Sequence, residues 1–324
     1  MPAPKNRPAF LFLALVVAAL VHAPAAGALV LTSQGITEGF SLSTFASGFP
    51  SSSNIGPLGV AWTASGGVMV SDFPGNVRVF ATDADGQLAS SAPVGQSYGL
   101  ANAVGLARVG GSFFMTRQAI GDLVQLNPDG TFNQGIFAGL PAATGLVTDP
   151  ITGHVYVSTL GNNQIWDVDP VAKTGHIILS KSADGLTTDG HVLYMEEGGH
   201  ITGYDLTTHA QVFDSGFISG ADGTSLGYGT LAGKIFANTN FGEVYEIDLG
   251  TAAKTLIANG GTRGDFVAAD PNGTLLLTQS TTLERLTAPA GGGFGAVPEP
   301  ATGLEMLLGA LLMAGGGLYA RLKG

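Results

Sequence analysis

Cysteine is absent from all 324 residues. Disulfides, thiol nucleophiles and thiolate-held metals are thereby excluded. Cations are scarce too: 13 Lys and Arg stand against 24 Asp and Glu, a formal net charge of -11. Such a surface repels nucleic acid, which proteins hold chiefly by cationic contacts to phosphate, and repels anionic headgroups for the same reason. Charged residues make up only 11% of the chain while glycine fills 50 positions, and long stretches of 3.6-residue apolar periodicity are missing. That composition argues against a helical bundle and for short strands joined by tight turns.

What is present starts at the N-terminus. Lys5 and Arg7 precede an apolar run over residues 10–21, followed by Ala26-Gly27-Ala28. A basic start, a short apolar core and an A-x-A site predict a secretory signal peptide over 1–28, cleaved at the site marked by Ala26 and Ala28. The run of about twelve residues is short of the roughly twenty that cross a bilayer. At the other end stand Val297-Pro298-Glu299-Pro300-Ala301, a mostly apolar stretch over 303–320, and then Arg321 and Lys323. This order resembles the PEP-CTERM sorting signal of Gram-negative bacteria. The resemblance implies export by the secretion machinery and processing by an exosortase. The destination it implies is the outer surface or extracellular matrix, reached by way of transient anchoring at the inner membrane. Eighteen helical residues reach about 27 Å, enough for a single membrane-spanning helix within 297–324, with the terminal cations on the cytoplasmic side. Glu305 and Gly315-Gly316-Gly317 weaken it as a permanent anchor. An ordinary tail anchor is the alternative.

Between these ends, residues 29–290 are long enough for one large domain with a buried core. Setting aside Lys5, Arg7, Arg321, Lys323, Glu299 and Glu305 leaves 9 cations and 22 carboxylates, a net charge of about −13. Residues 291–296, rich in glycine, read as a flexible linker to the tail. Within the domain the chain repeats at roughly forty residues, a period typical of propeller blades. Each unit opens on a glycine-marked apolar strand: Gly59-Val60-Ala61-Trp62, Gly105-Leu106-Ala107, Gly145-Leu146-Val147, Gly185-Leu186, Gly223-Thr224-Ser225-Leu226 and, without the glycine, Phe266-Val267-Ala268. A second strand follows, ending on a small polar residue in five of the six units, as in Val68-Met69-Val70-Ser71. The third strand is the most regular, running V-R-V-F from Val77, L-V-Q-L from Leu123, I-W-D-V from Ile165, I-T-G-Y from Ile201, V-Y-E-I from Val244 and L-E-R-L from Leu283. Its alternation predicts one face packed on the neighbouring blade and the other turned outward.

The sixth unit has no fourth strand of its own. Thr44-Phe45-Ala46-Ser47-Gly48-Phe49-Pro50 echoes Ile136-Phe137-Ala138-Gly139-Leu140-Pro141, at the end of the fourth strand of the second unit. A strand from the start of the domain therefore closes the last blade and removes two open edges. The predicted fold is all-β, a six-bladed propeller closed by an N-terminal strand, of the kind seen in NHL-repeat and gluconolactonase-like proteins; a seven-bladed ring would need a repeat that is not there.

Motifs that carry chemistry are few. Gly223-Thr224-Ser225-Leu226-Gly227 matches the G-x-S-x-G elbow of serine hydrolases, but it lies in an opening strand and no histidine follows His209. His154, His176, His191, His200 and His209 share no slot in the repeat. Glu196-Glu197 reads as a solvated loop, since neighbours on a strand point to opposite faces. One slot does recur, immediately before the opening strand: Leu58, Val104, Thr144, Asp184, Asp222 and Asp265. In a propeller it rings one mouth of the central channel, so three adjacent blades offer carboxylates there. These are candidate metal ligands, with Ca²⁺ the fitting ion for hard oxygen donors, or else each Asp caps its own turn. Gluconolactonase-like enzymes hold a divalent cation on the axis with a glutamate, two asparagines and an aspartate. Ala183-Asp184-Gly185-Leu186 resembles the aspartate strand, whereas Val104 and Thr144 stand where the asparagines would be.

The leading functional expectation is a non-enzymatic surface protein that binds a glycan, a protein or exopolysaccharide. The alternative is a metal-dependent lactonase-like hydrolase or a lyase working at the acidic mouth.

Overall fold

The computed structural model describes residues 27–295, arranged as six sheets, antiparallel but for one short parallel pairing of Ala46 and Ser47 with Gln87–Leu88. The innermost strands are Pro57–Trp62, Leu106–Val109, Ala143–Thr148, Leu186–Thr188, Ala221–Gly229 and Val267–Ala269. Each touches the next, and the sixth touches the first, so the ring closes at six. From each inner strand the chain steps outward through two further strands to a fourth.

The third strands show why this arrangement holds together. In every quartet the first and fourth residues are buried: Val77 and Phe80, Leu123 and Leu126, Ile165 and Val168, Ile201 and Tyr204, Val244 and Ile247, Leu283 and Leu286. Residues three apart on a strand point to opposite faces. The first of each pair packs against the following blade and the fourth against the preceding one, giving six apolar clusters for six interfaces. The expected single buried face is thereby corrected: a blade is sandwiched between neighbours, and both faces of its third strand are core.

Closure follows the sequence reading. Ser41–Ser47 pairs antiparallel with Thr282–Thr287, placing Leu42 opposite Leu286 and Ala46 opposite Leu283. Phe45 and Phe49 pack on Phe80 of the first blade across the seam. A longer connection after Phe80 accounts for the widest repeat spacing. It sends Asp83 and Asp85 to Arg285 at 2.6 and 2.8 Å, with Asp270 at 2.6 Å on the same buried guanidinium.

Just before the closing strand, Val30–Leu31 adds to the outer edge of the fifth blade, against Asn259 and Ala258. The helix Ser33–Glu38 then carries the chain across to the sixth. Thr32 caps its start by accepting the Gly35 N–H at 3.1 Å, and Gly39 ends it at φ 90°, a conformation that glycine adopts without strain. The N-terminal segment therefore grips both blades.

Residues 291–295 do not behave as a linker. Gly292–Phe294 pairs antiparallel with Gly227–Gly229 on the extended inner strand of the fifth blade. Phe294 is 2% exposed and sits 4.8 Å from the Phe236 ring and 6.4 Å from that of Phe40. Ala26 and the sorting residues Val297, Pro298, Glu299 and Pro300 lie outside the described residues. Among the described residues no helix is long and apolar enough to cross a membrane.

Candidate functional site: the two mouths of the axial channel

At the centre, blade glycines let backbone meet backbone. A Cβ on Gly59, Gly105, Gly145, Gly185 or Gly223 would collide with the carbonyl of the slot residue one blade on, Val104, Thr144, Asp184, Asp222 or Asp265. The throat is consequently narrow, about 40 Å³, with Phe266 taking the sixth place. Hydroxyls at the ends of the second strands bridge these contacts. Ser71 accepts the Gly59 N–H at 2.9 Å and donates to the Val104 carbonyl at 2.6 Å. Thr116 does the same between Gly105 and Thr144, both at 2.8 Å. Ser158 holds the Gly145 N–H at 2.7 Å.

In the fourth and fifth blades the same position carries Glu196 and Asn238, and there the pattern breaks. The amide of Asn238 donates to the Thr278 carbonyl at 3.0 Å, while its oxygen is buried without a donor. Oδ1 of Asp184, Asp222 and Asn240 are likewise buried without partners. Asp222 is 2% exposed and Asp265 5%. Arg263 answers only Asp265, through Nε at 2.8 Å and Nη2 at 2.7 Å. Across the mouth stand Leu58, Val104 and Phe266, backed by Ile55 and Phe73. A cup of about 50 Å³ opens between the apolar and acidic halves.

The electrostatics follow from this poverty of donors. Burial, then repulsion from Asp265 and Glu196, pushes the Asp184 carboxyl up to about 7. Burial and the charges of Asp184, Asp265 and Glu196 carry Asp222 well above the carboxylate range. Asp265 is raised by burial against the opposing pull of Arg263. Burial also lifts Glu196, whose carboxylate accepts the Gly199 N–H at 2.6 Å.

Asp184, Asp222 and Asp265 thus share one mouth and feel one another's charge. Sequence reasoning missed Glu196, Asn238 and Arg263. Glu196 is no loop residue: it lies within the strand Val192–Glu197, one residue from its end, and its neighbour Glu197 turns away to Lys181 at 2.8 Å. For Glu196 and Asn238 the signal lay in the six-fold register, where Ser71, Thr116, Ser158, Glu196, Asn238 and Thr278 occupy equivalent positions. The G-x-S-x-G sequence lies inside the strand Ala221–Gly229. The oxygen donors suit a hard cation such as Ca²⁺, yet among the described residues no three His, Asp or Glu side chains converge closely enough to cage one. Arg263 already occupies part of the place a cation would take.

At the far end of the throat the channel opens into a wider bowl of about 330 Å³. Trp62, Arg108, Thr148, Thr187 and Thr224 line it, and Gly295 sits at its edge.

No protein-family model matches the chain, and no curated protein matches it in sequence. Solved structures do match its fold. A gluconolactonase of Xanthomonas campestris aligns at 17% identity and a TM-score of 0.58 over 82% of this chain and 98% of its own. A streptogramin B lyase aligns at 13% and 0.53 over 77% and 98%. A chain of a nidogen/laminin complex aligns at 17% and 0.58 over 70% and 97%. The fold and its closure define a six-bladed β-propeller. Within that class the architecture is gluconolactonase- and NHL-like, and it is shared by enzymes and by a protein caught in a binding complex.

Proposed function

We propose that this chain is an exported, surface- or matrix-associated binding protein whose acidic mouth holds a neutral, hydroxyl-rich ligand, a saccharide being the chemical class that fits. The observation that carries the reading is the buried Oδ1 of Asp184, which has no donor and belongs to a residue lining the cup; the donorless oxygens of Asp222, Asn238 and Asn240 lie outside the cup's lining. A buried acceptor left unmade costs stability, and a ligand hydroxyl supplies the missing donor. A cup of about 50 Å³ admits a hydroxyl pair or hydroxymethyl group, not a whole ring. On the same face Phe217 and Phe241 are each 64% exposed, and such rings can pack on the C–H faces of a sugar.

The exported location rests on the signal-like N-terminus and on the PEP-CTERM-like tail, with exosortase as the processing partner. The alternative reading is a Ca²⁺-dependent, lactonase-like hydrolase or a lyase. It is favoured by the raised pKa of Asp184, which suits a proton-transferring carboxyl near neutral pH. The test is calorimetric titration with neutral oligosaccharides, beside lactone turnover and melting in millimolar calcium. Saccharide binding lost on changing Asp184, Asp222 and Asp265 to Asn supports the binding protein. A calcium-induced rise in melting temperature, abolished by the same changes and joined to lactone turnover, establishes the enzyme instead.

A further inference from the structure

The buried polar atoms that lack partners near the axis divide by chemistry. At the acidic mouth they are acceptors. At the bowl they are Trp62 Nε1, Arg108 Nε and Thr224 Oγ1: two obligate donors and a hydroxyl that can donate. Arg108 stands out further. Arg78, Arg117, Arg263 and Arg285 each lie within 4 Å of a carboxylate, whereas Arg108 has no ion pair among the described residues. Its Nη1 donates only to the Trp62 carbonyl at 3.2 Å, and its head lies 6.0 Å over the Phe113 ring. In a domain with 22 carboxylates against 9 cations, a half-buried arginine that lines a concavity and has no carboxylate partner is poised for an anion from outside.

We infer that the bowl is a second ligand site, for a small organic anion that carries one carboxylate and several hydroxyls, of sugar-acid size. Its volume of about 330 Å³ lies at the lower end of small-molecule pockets. Arg108 matches a carboxylate by its planar fork of donors. Thr187 lines the wall, as does Thr148, whose hydroxyl donates to the Arg108 carbonyl at 3.1 Å and keeps lone pairs to accept from a ligand hydroxyl, and the apolar side chains of the inner strands form the floor. The throat of about 40 Å³ is too narrow for such a molecule to pass, so the site is distinct from the acidic mouth and stands or falls separately from it.

The chain has two tryptophans, and Trp166→Phe leaves Trp62 as the only reporter, inside the bowl. Glucuronate added to this variant of the purified protein should change Trp62 emission saturably, with glucose binding about tenfold more weakly or worse at matched ionic strength. Arg108→Gln should cost about tenfold or more in glucuronate affinity, Arg108→Lys less, and Asp184→Asn nothing. Equal response to glucose and glucuronate, no response at millimolar glucuronate, or affinity untouched by Arg108→Gln would overturn the inference. Should Arg108→Gln melt early, Thr187→Val decides: weaker binding at an unchanged melting temperature supports the site, and unchanged binding removes it.

Discussion

At Asp184 the protein holds a carboxyl that prefers its proton when folded, and the consequence for stability has a definite sign. Its ordinary value is 3.8 and its folded value about 7. Between those limits the native state binds more protons than the unfolded chain, so the contribution is fully present below 3.8 and lost as pH rises through about 7. The exposed turn aspartates act oppositely: Asp248 is held down to about 2, first by Lys234, so its contribution is lost only in strong acid. Melting temperature should therefore climb as pH falls from 8 to 5, and Asp184→Asn should flatten that climb. A wild-type profile flat over this range would show that the mouth carboxylates are solvated in solution. The ring of glycines makes a second residue-scale prediction. Gly145→Ala puts a methyl into the Asp184 carbonyl, a backbone contact that cannot rotate away, and should cost about 3 kcal/mol, the upper end of overpacking penalties. Gly135, an outer-strand glycine with open space beside it, is the control, and chemical denaturation of both Ala variants measures the difference.

Among the elements, the opening strands and the closing strand were legible in the sequence because side chains write them: a glycine before an apolar run in five of the six units, and the Gly-x-Pro echo of Gly48-Phe49-Pro50 in Gly139-Leu140-Pro141, which sets Phe45 at the place of Ile136 in the two strand registers. The strand Gly292–Phe294 was not, because glycine pairing leaves no side-chain alternation to read, and its partner Gly227–Gly229 is distant in sequence. Phe294 was the single hint. Glu196 was hidden for a related reason: a long acid stands where the other units carry Ser, Thr or Asn, so the repeat breaks just where the site begins. Arg263 precedes the sixth unit, the only one without an opening glycine, and no repeat position announces it. The two ends of the described chain meet around Phe40, Phe236 and Phe294. Phe294→Ala should therefore cost about 3–5 kcal/mol, a large share of the roughly 5–15 kcal/mol that domains possess. Urea unfolding with loss below about 1 kcal/mol would mean that the last strand is dispensable. Deleting residues 29–50 is a harsher change. It exposes the edge of Thr282–Thr287 and should produce aggregation rather than a merely lower melting temperature.

For the whole molecule, strand direction decides which way each mouth faces. Every inner strand runs from the acidic mouth to the bowl and every second strand returns. Turns joining first to second strands, such as that bearing Ile151, therefore share the bowl face, and turns joining second to third, such as that bearing Phe241, share the acidic face. Gly295 lines the bowl, so the last described residue lies on that side. If the tail anchors the protein as its PEP-CTERM-like sequence implies, the bowl faces the membrane and the acidic mouth faces outward, where a polymeric saccharide can reach it. The lack of native cysteine makes this measurable. Ile151 and Phe241 are 52% and 64% exposed, so Ile151→Cys and Phe241→Cys should react alike with an impermeant maleimide in released protein. Replacing Pro298, Glu299 and Pro300 should block processing and leave a membrane-retained form of higher mass. In that form the Phe241→Cys thiol should keep its rate, while the Ile151→Cys thiol slows several-fold behind the nearby bilayer. Equal rates in the retained form would show that the tail does not set the orientation. Unchanged mass in a host with an active exosortase would show that these three residues do not direct processing, leaving the ordinary tail anchor as the reading of residues 297–324.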